Sequence, residues 1–146
     1  MRAILIAAAG LALASLVFAA PTRAADSAPP QRAAIQPLLS TELPDVAGKR
    51  LVVVPLKLMP PTGRPNPGHR HPGSVYVYVT QGVARLGVAG QPVQVVHAGE
   101  SFFEAPGALH NVAESASATE PALAIAVMIV PDGAPLVLPA DPHAMH

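Results

Sequence analysis

The chain contains no cysteine, and that absence alone excludes disulfide staples, thiolate metal sites and a lipid anchor attached to a cysteine. Any metal site must therefore use nitrogen and oxygen donors. Charge is sparse as well. Nine Lys and Arg stand against nine Asp and Glu with no block of like sign, so the basic footprint of a nucleic-acid partner is missing. Long helices are disfavoured by 18 prolines. With 146 residues the chain fits one domain and has no room for two sizeable cores.

One long apolar run does occur. Arg2 is followed by Ala3 to Ala20 and then by small residues around Thr22 and Ala24, the order of a secretory leader cleaved after Ala24. A periplasmic or secreted mature protein follows from that reading. The competing reading is an uncleaved anchor, since the run is close to the shortest that spans a bilayer. Gly10, Ser15 and the many alanines make it a weak span, and no stable span is expected after cleavage. Loss of Arg2 and Arg23 with the leader leaves seven basic and nine acidic side chains, a balance of −2.

Asp26 to Pro37, DSAPPQRAAIQP, is rich in Pro and Ala and shows no sustained period, as in a linker. The expected layout is a leader over 1–24, an arm or linker over 25–45, a β-barrel domain over 46–138 and a tail over 139–146. Within the domain, RLVVVPLKLM, SVYVYVT, VARLGV, PVQVVH, ESFFE and PALAIAVMIV are short β-branched runs separated by GRPNPG, TQG, AGQP, HAGE and PGA. Many short strands with turn chemistry between them predict an all-β sandwich or barrel. In SVYVYVT, alternation puts Val75, Val77 and Val79 on one face and Tyr76 and Tyr78 on the other. Both faces are largely apolar, which predicts a strand covered on two sides with the tyrosines packed. Pro55 makes its strand an edge or marks a bulge. ALAIAVMIV is either a central strand or one that pairs across a homodimer interface.

His69 and His71 are two residues apart, so on an extended chain they point to the same side and can share one metal ion. Neutral imidazole suits first-row divalent metals, and His110, shortly after Pro106 and Gly107, is the candidate third ligand. An isolated HxH in a Pro-rich loop is otherwise a solvated pair that binds nothing. His97 precedes a probable turn and is left outside the site. His143, Met145 and His146 lie in a tail whose donors suit copper, although tails of this kind usually only fray.

The two stretches HRHPGSVYVYVTQG and GESFFEAPGALHNVAESAS resemble the paired motifs of the cupin superfamily, in its small single-domain branch. His69, His71 and Gly82 match the first motif, with Val75 where its glutamate would stand. Gly99, Pro106, Gly107 and His110 match the second with altered spacing around the proline, and Glu114 takes the place of its asparagine. The resemblance covers about Arg50 to Val130. It implies a single-domain jelly-roll β-barrel whose histidines converge at one end on a divalent transition metal: iron, manganese, nickel, copper or zinc.

Val75 cannot ligate a metal, which leaves three readings open. A three-histidine site keeps free positions for water and substrate. Alternatively Glu104 supplies the carboxylate from a neighbouring strand, provided it is buried rather than at a solvated strand end. In the third reading metal binding has been lost and the barrel holds an organic ligand. Two functions follow. One is a metal-dependent enzyme, a dioxygenase or isomerase on a small molecule, with the chemistry carried by the metal. The other is a non-catalytic module that binds or senses a small molecule or metal. Proton transfer would need a carboxylate near the metal, and Glu104 and Glu100 are the two within reach in sequence.

Overall fold

The computed structural model describes residues 35–64 and 66–141, and the leader and the histidines of the tail lie outside them. Among the described residues ten strands form in chain order: β1 (Leu39–Glu42), β2 (Lys49–Leu58), β3 (His69–Arg70), β4 (Ser74–Gln81), β5 (Val83–Val88), β6 (Gln94–His97), β7 (Ser101–Glu104), β8 (His110–Ser115), β9 (Ala122–Pro131) and β10 (Leu138–Pro139). They pair antiparallel into two five-stranded sheets, β1-β2-β9-β4-β7 and β10-β3-β8-β5-β6. The chain crosses between the sheets repeatedly, and the result is an all-β jelly roll, in line with the sandwich or barrel expected from the strand pattern and with the jelly roll that the resemblance implies. Among the described residues no helix is long and apolar enough to cross a membrane.

The core fills the space between the sheets. Val52, Val54, Val75, Val77, Val79, Met128 and Val130 come from the first sheet, and Ala84, Leu86, Val88 and Val96 from the second. Each of these residues alternates with a more exposed neighbour, because successive side chains on a strand point to opposite faces. The first sheet departs from expectation on its other side. Tyr76 and Tyr78 are 49% and 43% exposed, so β4 is covered on one face only.

Two strands extend beyond the expected domain limits. β1 lies inside the stretch read as an arm and pairs with β2 from Leu39↔Val53 to Glu42↔Arg50. β10 reaches the start of the expected tail and pairs with β3. Neither shows a period in sequence: all four residues of β1 are exposed and β10 has only two residues. β2 is flanked by β1 and β9 and pairs with β9 without a bulge at Pro55, so the expected edge exists only locally, on the β1 side. The Val53 carbonyl faces β1 and accepts from Leu38 N at 2.7 Å, so the nitrogen of Pro55, two residues on, faces the same side. β1 has already ended there, and no ladder bond is lost. β9 is the middle strand of its sheet, which removes edge pairing across an interface as a role for ALAIAVMIV.

Gly73 holds the start of β4 against β9. A Cβ at this position would collide with the backbone carbonyl oxygen of Ile129. Gly73→Ala should therefore lower the unfolding free energy by about 1–3 kcal/mol, the usual cost of overpacking, or more because backbone rather than a side chain must yield. Denaturant midpoints compared with wild type measure this, and an unchanged midpoint would mean that the turn does not approach β9 so closely.

Candidate metal centre

The two sheets bring four polar side chains together at one end of the barrel. β3 pairs with β8 through His69↔His110, so two of the three histidines sit opposite each other on adjacent strands. Gly68 makes this approach possible, with φ at +77° and the position of a Cβ only 2.9 Å from the His110 carbonyl oxygen. His71 follows β3, and its carbonyl accepts from Gly107 N at 2.8 Å, which ties the HxH segment to the turn before β8. Ring nitrogens of His69, His71 and His110 all lie within 4.8 Å of one another. His69 is half-buried, and His71 and His110 are 8% and 5% exposed.

The carboxylate arrives from the other sheet. On β7 burial alternates, so Phe102 and Glu104 face inward while Ser101 and Phe103 face out, and Glu104 is 2% exposed. Its register partner on β4 is Val75. Directly opposed residues share a face, so Glu104 presents its carboxylate beside the position from which a glutamate at 75 would have reached. Glu100 belongs elsewhere. It is exposed and its Oε2 accepts from His97 N at 2.7 Å across the turn, which corrects the expectation that it stands near the histidines. Glu114 pairs with Arg85 at 2.8 Å, also away from the cluster.

Hydrogen bonds set the direction of the imidazole lone pairs. A carbonyl oxygen only accepts, so His71 Nδ1–H donates to Leu136 O at 2.6 Å, and in the neutral ring Nε2 is left with a lone pair. That Nε2 lies 3.0 Å from His69 Nε2. In the same way His110 Nε2–H donates to Val112 O at 2.7 Å, which leaves Nδ1 as the unprotonated nitrogen. His110 Nδ1 faces Glu104 Oε1 at 3.1 Å, and His71 Nε2 stands 3.8 Å from Glu104 Oε2. Both His110 Nδ1 and Glu104 Oε2 are buried without a hydrogen-bond partner. Lone pairs that converge in this way need a cation or a proton between them.

The donor set fits a divalent metal on these grounds. Two nitrogens bound at about 2.1 Å and at right angles to one ion would be about 3.0 Å apart, the spacing seen between His69 and His71, and small side-chain rotations would bring in the wider pairs. Three imidazoles with one carboxylate are hard-to-borderline donors, consistent with the absence of thiolate. Each of the two deeper histidines is backed by a carbonyl that orients its ring, as metal-ligating histidines usually are. The residues picked from sequence, His69, His71, His110 and Glu104, are thus brought together. Sequence reasoning missed the supporting residues. Leu136 O and Arg70 carry no motif, since one is a backbone carbonyl and the other is the unspecified middle residue of the HxH pair.

The sequence profile of the cupin domain matches residues 56–128, half of the chain. The chain belongs to the cupin family. Among curated proteins none matches it. Among solved structures, a conserved protein with a double-stranded β-helix domain from Klebsiella pneumoniae is 23% identical with a TM-score of 0.50, over 73% of this cupin and 83% of that chain. An oxalate decarboxylase structure is 19% identical with a TM-score of 0.50, and the match spans 63% of this chain but only 24% of that one. The DMSP lyase DddQ from Ruegeria pomeroyi is 20% identical with a TM-score of 0.49, over 67% and 46% of the two chains. At these identities the likeness shows the fold, and the chemistry has to be argued from the cluster itself.

Arg70 holds the C-terminal segment over the histidines. Its Nε donates to Ala140 O at 3.0 Å and its Nη1 to Gly107 O at 2.6 Å, next to the β3–β10 pairing. Arg70→Ala should lower stability by about 1–2 kcal/mol, since two charge-assisted bonds to carbonyls are lost at a partly exposed site. It should also speed exchange of the His71 Nδ1 proton, because Leu136 lies in the segment released. NMR of that proton checks the link, and unaltered exchange would show that Leu136 is held without Arg70.

Proposed function

We propose that this cupin is an exported metalloprotein in which His69, His71 and His110 with Glu104 hold one divalent transition metal, and that it acts as a dioxygenase on a small molecule. The observation that carries the reading is the buried convergence of His110 Nδ1 and Glu104 on the His69–His71 pair, with no donor to satisfy either orphaned atom. A bound divalent ion with free positions supplies Lewis acidity and a place to hold substrate beside oxygen. The residues of the chain orient the ligands and exclude water. His71 and His110 are locked in the tautomers that point their lone pairs inward, and Phe102 lies against His110 with ring centroids 6.2 Å apart.

The acid–base inventory separates the candidate reactions. Among the described residues the buried polar side chains are His71, Glu104, His110 and Ser115, and the Ser115 hydroxyl already donates to Glu120 O at 2.6 Å. With Glu104 and the histidines engaged as ligands, no buried carboxylate or imidazole among the described residues is spare to move substrate protons. That disfavours an isomerase working by proton transfer and favours chemistry resident on the metal. The same inventory supports the second reading, a non-catalytic module that binds metal and a small molecule. Export rests on the leader pattern of residues 1–24 and agrees with a site free of oxidisable thiolates.

Elemental analysis of untagged protein purified without chelators should give about one equivalent of a transition metal, with none in the His69→Ala, His71→Ala, His110→Ala triple variant. Equal metal in both would sink the assignment. Oxygen uptake in the presence of candidate substrates then separates the dioxygenase from the binding module.

The register pair allows a sharper test of the carboxylate. Glu104→Val should weaken metal affinity about 10–100-fold, and Val75→Glu in that background should recover most of the loss, because the two positions share a face. Chelator competition measures both constants. Undiminished affinity in Glu104→Val would show a three-histidine site.

A further inference from the structure

We infer that the substrate of this centre is a small organic anion, held by the metal at one end and through a carboxylate by Arg50 at the other. The inference rests on the metal reading above and adds the residue that selects the substrate.

Arg50 faces inward at the start of β2. Burial along the strand alternates, so Arg50 stands on the same side as Val52 and Val54, which are in the core. The registers place it at the histidine end of the barrel. Arg50 pairs with Val130 on β9, and the adjacent inward row runs from Val52 through Met128 and Val75 to Glu104. The side chains between the guanidinium and Glu104 are therefore apolar, and Val52, Val75, Met128 and Val130 are all fully buried.

The segment that joins β9 to β10 links Arg50 to the histidines. Arg50 Nη2 donates to Ala134 O at 2.8 Å, and His71 Nδ1 donates to Leu136 O at 2.6 Å. Ala134 and Leu136 are two residues apart, which puts the guanidinium within roughly 12 Å of the His71 ring.

The guanidinium is under-used by the fold. It has five N–H donors, and its acceptors are Ala134 O and Ser40 Oγ, the latter 3.2 Å from Nη1, both neutral. Arg50 Nε is closed to solvent and has no acceptor. The ion pairs among the described residues are His71–Glu104, His110–Glu104 and Arg85–Glu114, and Arg50 enters none of them. Glu42, opposite Arg50 on β1, is exposed. A tie to the β9–β10 segment needs only the bond to Ala134, and for that role the buried Nε is a pure cost. A carboxylate would meet the planar fork and remove the cost. The local field has the same sign, since a divalent ion with one carboxylate and neutral imidazoles keeps one positive charge and Arg50 adds another beside low-dielectric walls. The substrate class that fits has a metal-binding head, a short apolar spacer and a terminal carboxylate.

Calorimetry on untagged protein loaded with redox-silent zinc tests this, with the linear dicarboxylates from succinate to pimelate and the monoamide of each as probes. The monoamide keeps the length and removes one charge. At one length the dicarboxylate should bind at least about 10-fold tighter than its monoamide. Arg50→Gln should erase that preference while zinc affinity stays within about twofold, because the residue is not a ligand. Arg50→Lys keeps the charge without the fork and should retain only part of the preference, and it decides the matter if circular dichroism shows Arg50→Gln unfolded. No preference at any length, or one undiminished in the variants, overturns the proposal and leaves Arg50 as a tie for the β9–β10 segment, with the metal centre standing. A wild type that takes up no zinc, seen before any acid is added, overturns the metal reading and this inference with it.

Discussion

Glu104 Oε1 and His110 Nδ1 face each other at 3.1 Å at a place closed to solvent, and the His110 Nε2 proton is already committed to Val112 O. Two acceptors so placed repel unless a positive species lies between them, and the desolvation that buried them makes the repulsion costly. Much of the fold serves to create that juxtaposition. β7 reaches across from one sheet with Glu104, β8 and β3 bring His110 and His69 into register from the other, and the Gly68 and Gly107 turns draw the HxH segment against β8. A polar cluster of this kind works against stability by itself. The surrounding core of Val, Ala, Leu and Met holds it in place, and a bound cation would turn the cost into a gain.

Sheet geometry places a carboxylate beside the position where the chain departs from the family motif. A glutamate at position 75 would reach the histidines from β4, whereas the chain has Val75 there and Glu104 on β7 directly opposite. Side chains of a directly opposed pair have their Cβ atoms about 5 Å apart on one face, so a carboxylate can change strands and still address the same point. Moving it also changes its surroundings, since Phe102, two residues before it on the same face, lies against the His110 ring. The one-for-one exchange keeps a single negative charge in the cluster, which a +2 ion with neutral imidazoles tolerates well.

How much of this was legible in the sequence varied with the length and burial of each element. β2, β4 and β9 are eight to ten residues long and densely β-branched or aliphatic, and they were read nearly to their ends. β8, HNVAES, was not seen as a strand: it has one β-branched residue, and its burial comes from the sheet around it rather than from its own period. β3 and β10, at two residues each, exist only as partners of other strands. The histidines were legible because an HxH pair states its own geometry. The direction of Glu104 was half legible: alternation in SFFE requires Glu104 to share a face with Phe102, but two adjacent phenylalanines give no ground for choosing which one enters the core. Only the pairing of β7 with β4 decides it.

The outer face of the first sheet exposes a limit of the same reasoning. Apolar alternation on both sides of a strand was taken to mean two covers, and among the described residues only one is present: Tyr76, Tyr78 and Phe103 stand exposed. Sequence period reports that a face is built for burial and does not report by what. On β9 the alanines point into the barrel interior and the larger aliphatics point away. The inward alanines belong to the packed core with Val75, Val77 and Met128, so one row of β9 sets how the interior fills and the other sets the character of the outer surface. A substitution that enlarged the inward alanines would crowd the interior without touching the outer face, so the two can be varied independently even though one strand carries both.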